Sequence, residues 1–355
     1  MASQTQAIVV LKPGEGAGVQ TVPLPKLREG WVLVDVKAIA LNPSDWKKID
    51  YGAADLGSRV GCDYAGVVRE VGPQVSNFKK GDRIGAFVHG ADRTNHDNGA
   101  FAGVIVAKTA IQFHIPDNIS FEEAATLGVA LVTVGQSLYK TLQLPLPTAP
   151  AEKPFPILIY AASTAVGMYG IQFAKASGLK VIATCSPHNF EKIRALGADV
   201  VFDYSSPSCA ADIKAYTNNQ LRYSWDCMAT GGDICAKAMS DQEKSYYTTI
   251  NSLTMKSMIA MRKGNPKMQA PQSTMGYDAF GDPYMFLGKT VPAKPDEMQY
   301  ATKFIEISRS LLEKGVVKPI SISVNQTGGG LEGALRGLDE LRAGRVSGSK
   351  LVYTL

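Results

Sequence analysis

The chain has 355 residues, 45% apolar and 19% charged, with 37 basic and 32 acidic side chains for a formal net charge of +5. That length supports two domains with their own cores, and so mild a charge, without a Lys/Arg cluster interleaved with aromatics, argues against a nucleic-acid partner. Five irregularly spaced cysteines fit a reducing, cytoplasmic setting better than a disulfide framework; no secretory signal opens the sequence, and no apolar run approaches the length of a membrane helix.

Residues 1 to about 120 read as mostly β, with strand-like runs at 7–11, 31–39, 61–71, 82–88 and 103–107. The glycine-rich segment 14–18 precedes no helical pattern and reads as a hairpin turn. Ser120-Phe121-Glu122-Glu123 is a capping box that opens a helix. A second helical stretch is expected over 131–142, then a proline-rich connection over 144–156. From there α and β alternate to about residue 285, with no internal repeat. A helix over 295–314, an extended run over 317–324, a helix over 331–343 and a strand over 350–355 complete the chain. The late β character suggests a return to the first domain. The expected division is 1–122 β-rich, 123–290 dinucleotide-binding, and 291–355 returning to the first part.

The segment 156–178 carries the most information. An apolar run, Ile157 to Tyr160, reads as a buried strand that breaks at Ala161, Ala162, Ser163 and Thr164. A helix follows, with Val166, Tyr169, Gly170, Phe173 and Ala174 on one buried face and Gly178 as its stop. A strand, a small-residue turn and a helix start, with Ala165 and Val166 in its first turn, form a phosphate cradle because unpaired N–H groups and the helix dipole converge there. The literal G-x-G-x-x-G is absent; Ala161, Ser163 and Gly167 stand near its glycine positions. An ordinary βα unit is the competing reading of this segment alone.

The next strand, 180–184, arrives about 20 residues on, where a dinucleotide fold reads the ribose. An NAD enzyme usually carries an acid there; this chain has Cys185-Ser186-Pro187-His188-Asn189 and no acid before Glu191. Hydroxyl, imidazole and amide groups can donate to a 2′-phosphate that a carboxylate would repel, which favours NADPH over NADH. A short helix marked by Phe190, Ile193 and Leu196 ends at Gly197, and a strand over 199–204 sets Tyr204 beside the same place. A solvated turn is the alternative for Ser186 and His188.

Several motifs carry a family resemblance. Asn42-Pro43-Ser44-Asp45-Trp46-Lys47, the run 61–68, Gly72, Val75, Gly81-Asp82-Arg83 and the turn at Gly85 resemble the quinone-reductase-like branch of the medium-chain dehydrogenase/reductase superfamily. Ser163-Thr164-Ala165, the run 183–190, Phe202-Asp203-Tyr204, Leu221-Arg222-Tyr223, Asp226-Cys227 and the run 347–352 look like the fungal trans-acting enoyl reductases of polyketide synthase pathways. The resemblance spans nearly the whole chain. It implies an α/β fold with a GroES-like β-rich catalytic domain and a Rossmann domain, and a monomer that reduces an enoyl polyketide carried on a synthase's acyl carrier protein. An NADPH-dependent quinone or small-enone reductase is the alternative, and a non-catalytic NADPH-binding protein is a third.

The zinc alcohol dehydrogenases of the superfamily hold their catalytic metal with Cys, His and an acid. Here Asn42 stands at the first ligand position and Cys62 at the second, beside Asp63, and no cysteine falls between 63 and 184. Tetrahedral zinc cannot be built from Cys62 and Asp63 alone, so Cys62 reads as a packing residue and no metal is expected. His89, His96 and His114 are scattered and read as ordinary histidines. Reduction of a conjugated C=C fits better than alcohol oxidation.

The loop 42–48 is expected to line the cleft beside the nicotinamide, with Pro43, Ser44, Asp45 and Trp46 against the cofactor. Lys47 is the candidate for polarising the thioester carbonyl or relaying the proton; the alternatives are a surface lysine, or donation from Asn42 or Ser44. Thr133, at the head of a helix within Gly128-Val129-Ala130-Leu131-Val132-Thr133-Val134-Gly135, is a second candidate donor, in a segment that could equally be packing. Gly276-Tyr277-Asp278-Ala279-Phe280 is expected to border a substrate groove, and by resemblance Val346 and Ser347 lie near the cofactor.

Overall fold

The computed structural model describes residues 3–355. The chain divides into two compact units, one built from 1–129, 277–314 and 319–355, the other from 130–276 and 315–318.

The first unit is built on strands whose alternating apolar residues need a covered face. Trp31–Ala40 is its central strand and pairs antiparallel with Asp63–Val71, Val104–Lys108 and the last strand, Lys350–Thr354. Ile322–Val324 lies parallel to that last strand, while Arg83–Phe87 and Gln112–His114 extend the other edge. The glycine-rich segment turns the hairpin Gln4–Lys12/Gly16–Pro23, as its composition predicts. Ile8, Val34, Ile39, Tyr64 and Phe101 form the core with Leu331, Ala334 and Leu338, which the helix Gly330–Arg342 presents at i, i+3 and i+7. Ser120 caps the short helix Phe121–Ala124, its hydroxyl accepting from the Glu123 N–H at 3.2 Å while the Glu123 carboxylate accepts from the Ser120 N–H at 2.9 Å.

The second unit is a parallel sheet of six strands, in spatial order Val200–Asp203, Lys180–Cys185, Pro156–Tyr160, Tyr223–Asp226, Tyr246–Thr249 and Gln272–Ser273. This is the 3-2-1-4-5-6 order of a doubly wound dinucleotide fold. The direction of winding reverses between Pro156–Tyr160 and Tyr223–Asp226, and the crevice at the carboxyl ends of those strands is where such folds bind ligands.

Several expectations are corrected. The segment after Asn42 is not a loop but the helix Pro43–Asp50. Pro43 presets the first helical φ and has no N–H to leave unpaired, while Asp45 accepts from the Asn42 N–H at 2.7 Å. Thr133 stands near the end, not the head, of Gly128–Val134, which runs on into a π-helical stretch, Gly135–Thr141. The helix Ala165–Ala176 is buried on nearly all sides from Gly167 to Ala174, with Val166 only half-buried. The extended run near 317–324 yields only the strand Ile322–Val324.

Candidate functional site

In the second unit the strand Pro156–Tyr160 delivers the chain to Ala161 with φ +57°, a left-handed turn that L side chains adopt at a cost. Thr184 holds that turn in place: its hydroxyl accepts from the Ala161 N–H at 3.2 Å and its carbonyl from the Ala162 N–H at 2.8 Å. Thr164 caps the following helix, accepting from the Gly167 N–H at 3.2 Å. Gly167 is obligatory, because a Cβ there would sit 2.8 Å from Ala162 Cα. The third glycine of the dinucleotide fingerprint allows this same close approach of helix to strand. The cradle therefore fits a diphosphate although two of its glycines are replaced.

Beside it, Ser186 Oγ and Tyr204 Oη lie 3.1 Å apart, joining the two residues that sequence reasoning placed together. His188 and Pro187 are exposed, and Asn189, which is buried, has its amide nitrogen 3.2 Å from His188 Nε2. No carboxylate occupies the end of Lys180–Cys185. Asp203 pairs with Cys185 from the neighbouring strand, where its carboxylate accepts from the Ser205 N–H and hydroxyl; the ribose-reading strand itself ends in donors without an acid, which fits a phosphorylated ribose.

The sequence alone assigns Asp226 no role. It is fully buried and accepts from the N–H groups of Met228, Ala229 and Gly231 and from the Tyr247 hydroxyl, at 2.7–2.9 Å. These four bonds pin the loop that leaves Tyr223–Asp226 at the switch point.

In the first unit the cluster centres on Asp63, which is fully buried. Its Oδ2 accepts from Asn42 Nδ2 at 2.9 Å and from Lys350 Nζ at 2.5 Å, and its Oδ1 accepts from the Val129 N–H at 2.7 Å. A Cβ at Gly128 would stand 2.6 Å from that Oδ1. One carboxylate thus ties Asn42, the start of Gly128–Val134 and the last strand. Lys350 appeared in the sequence only as part of a motif; a lysine at an alternating inward position of a terminal strand is the signal that was available.

The helix Pro43–Asp50 carries two adjacent lysines with different surroundings. Lys48 donates from Nζ to the Gly90 carbonyl at 2.8 Å and lies 4.0 Å from the centroid of the Tyr277 ring. Burial lowers its pKa to about 8, against the opposing pull of the carboxylates of Asp92 and Asp45. Lys47 is half-buried, with Nζ 5.7 Å from the Trp46 ring centroid, and among the described residues its ammonium has no ion pair or hydrogen bond. Of the two lysines, Lys47 is the one with uncommitted donors. Asp45 is enclosed, its Oδ1 has no hydrogen-bond partner, and burial raises its pKa to about 7 despite the Asn42 N–H. Burial also holds the Cys62 thiol well above the ordinary range, so it is no thiolate.

Gly276–Phe280 forms a short 3-10 turn with Tyr277, Asp278, Ala279 and Phe280 buried rather than exposed. The Tyr277 ring stacks on His89 at 4.2 Å between centroids, and its hydroxyl is 3.8 Å from Cys62 Sγ. Asp278 accepts from the Tyr284 hydroxyl at 2.8 Å and from Lys294 Nζ at 2.7 Å. Burial and the Lys48 charge keep His89 neutral, so its contact with Asp92 is no ion pair. A cavity of about 230 Å³ is lined by His89, Arg28, Trp31 and Tyr284, and of the candidate residues only Phe280 borders it. Ala130, Leu131, Val132, Val134 and Gly135 are buried, Val346 packs against the first unit's core, and Ser347 is exposed.

Two family models match the chain: the alcohol dehydrogenase GroES-like domain over residues 28–117 and the zinc-binding dehydrogenase over 165–240. Among curated proteins, the trans-enoyl reductase ACTTS2 of Alternaria alternata is 42% identical over 99% of this chain and 98% of its own length. The trans-enoyl reductase resD of Aspergillus sclerotiorum is 41% identical over 98% and 99%. Among solved structures, the CurK enoyl reductase superimposes with a TM-score of 0.77 at 18% identity, covering 99% of both chains. An alcohol dehydrogenase superfamily protein from Novosphingobium aromaticivorans gives 0.78 at 19%, with the same coverage. Both structures share the fold.

The zinc implied by the second model's description does not fit these residues. Among the described residues no group of three or more His, Cys, Asp or Glu is placed to hold a metal ion. Asn42 offers only an amide, the Cys62 thiol is held protonated, and Asp63 is already neutralised by Lys350.

Proposed function

Because this chain belongs to the medium-chain dehydrogenase/reductase superfamily, and within it to the fungal trans-enoyl reductases, we propose that it uses NADPH to reduce an α,β-unsaturated polyketide thioester delivered by the acyl carrier protein of a polyketide synthase. Its class is an oxidoreductase acting on C=C with a nicotinamide dinucleotide. The observation that carries the choice of NADPH is the pairing of Ser186 and Tyr204 at 3.1 Å where an acid would select NADH.

The N–H groups of Ser163, Ala165 and Val166, left over once those of Ala161, Ala162, Thr164 and Gly167 are bonded within the turn, hold the diphosphate, and Ser186, His188, Asn189 and Tyr204 offer donors to the ribose phosphate. Bound NADPH supplies the hydride. The thioester is already electrophilic at its β-carbon, so the chain's own task is to stabilise negative charge on the thioester oxygen and see the α-carbon protonated. Lys47 is assigned that task, with Asn42 and Thr133 as further donors. Asp63 positions Asn42 by holding its side-chain amide. No step requires zinc.

The test compares a pantetheine-linked enoyl chain with a simple quinone, each with NADPH and with NADH. The reading expects NADPH oxidation coupled to the thioester and a preference for NADPH. Faster turnover of the quinone, or a preference for NADH, would overturn it.

A further inference from the structure

In the second unit, the stretch 244–276 contains no acidic residue, although the chain as a whole is close to balanced, with 37 basic and 32 acidic side chains. Its middle is the helix Met255–Gly264, capped by Thr254, which accepts from the Ser257 N–H at 3.1 Å. Only Met261 of that helix is buried. Met255 is 68% exposed and Ile259 61%, one turn apart on the same face. Lys256, Arg262 and Lys263 are exposed around them, and none of the three makes an ion pair with any described residue. Met228 is 51% exposed, and its carbonyl accepts at 3.4 Å from the side-chain amide of Asn251, three residues before the capping Thr254.

The patch thus has three exposed apolar side chains, two of them adaptable methionines, rimmed by three unpaired cations. A soluble surface normally answers such cations with nearby carboxylates, and exposed apolar groups grouped under a polar rim mark contact sites. Its position is equally specific. Met228 follows the strand Tyr223–Asp226 and the helix follows Tyr246–Thr249, so both stand at the carboxyl ends of the parallel strands. The Ala161–Thr164 cradle opens from that same rim of the sheet.

We infer that the face formed by Met228, Met255 and Ile259 with Lys256, Arg262 and Lys263 is the docking site for an acidic face of the carrier protein that delivers the enoyl thioester. The inference rests on the proposed function. Charge complementarity names the occupant: the cations lack partners within the chain, and the substrate of that reading is tethered to a second protein. Rim charges of this kind govern association and its salt dependence.

The experiment uses the full chain with charge reversal at the three cations, Lys256→Glu, Arg262→Glu and Lys263→Glu. One enoyl chain is presented either on the phosphopantetheine arm of an acidic acyl carrier protein or on free pantetheine. The expected result is a fall on the order of tenfold or more in kcat/KM for the carrier-bound chain, with its salt dependence flattened and the free pantetheine substrate unaffected. A second variant, Met255→Ser with Ile259→Ser, should show the same split with the salt dependence retained. An unchanged rate on the carrier-bound chain, an equal loss on both substrates, or tight binding of anionic phospholipid vesicles through these cations would overturn the inference. If the wild-type chain reduces neither substrate, the functional reading itself has failed, a result distinct from a patch that does not matter.

Discussion

Replacing Lys47 with alanine is expected to lower kcat for enoyl thioester reduction by about 10²–10⁴, the usual weight of a positioned acid, while the Kd for NADPH stays unchanged. The expectation rests on the contrast between two neighbours on one helix. Lys48 is committed to the Gly90 carbonyl and, at 4.0 Å, to the Tyr277 ring, whereas the Lys47 ammonium has no hydrogen bond or ion pair among the described residues and only a 5.7 Å approach to the Trp46 ring. Lys48→Met serves as the control and has a different signature. Its folded pKa of about 8 lies below the ordinary 10.5, so folding penalises the ammonium fully below pH 8 and the penalty fades between pH 8 and 10.5. The stability of the wild type relative to Lys48→Met should therefore be flat below pH 8 and improve above it, by an amount on the order of 1.4 kcal/mol per unit of pKa shift. Kinetics and thermal scans from pH 6 to pH 10 separate the two lysines. Full turnover by Lys47→Ala would remove that residue from the mechanism.

Asp63→Ala is expected to cost about 3–5 kcal/mol of folding stability, because it leaves Lys350 buried and uncompensated. Both side chains are almost completely enclosed, Asp63 at 0% and Lys350 at 3% exposure. A loss of that size corresponds to a fall of roughly 6–20 °C in Tm. The substitution also releases Asn42 and the Val129 N–H, so activity should fall further than stability alone requires. The double substitution Asp63→Leu with Lys350→Met removes the unpaired charge and should recover most of the Tm but not the turnover. Calorimetry on the single and double variants checks this; a single variant as stable as the wild type would show that Asp63 is not the hub of the cluster.

Much of this was legible in the sequence because period and punctuation agree locally. The apolar run before Ala161, the stop at Gly178 and the acid-free segment 185–190 define a strand, a helix and the corner proposed for the cofactor without tertiary knowledge. The capping box at Ser120 and the hairpin at 14–18 are equally local. The rest was hidden because it depends on contacts between distant positions. Lys350 meets Asp63 across 287 residues and Tyr277 meets Cys62 across 215, and no periodicity records such meetings. The segment after Asn42 reads as a loop in sequence because its polar residues mask the helix start. Its cap becomes visible only when Asp45 is seen to accept the Asn42 N–H. The choice between Lys47 and Lys48 turns on which side of that helix faces Gly90, a matter of packing.

The most direct measurement follows a label. NADPH carrying deuterium at nicotinamide C4, on each face in turn, is incubated with a pantetheine-linked enoyl chain, and the product is read by mass spectrometry and NMR. The account predicts one deuterium on the β-carbon from one face only, with the α-proton drawn from solvent. Deuterium on the α-carbon, or reduced product without label from either face, would contradict it.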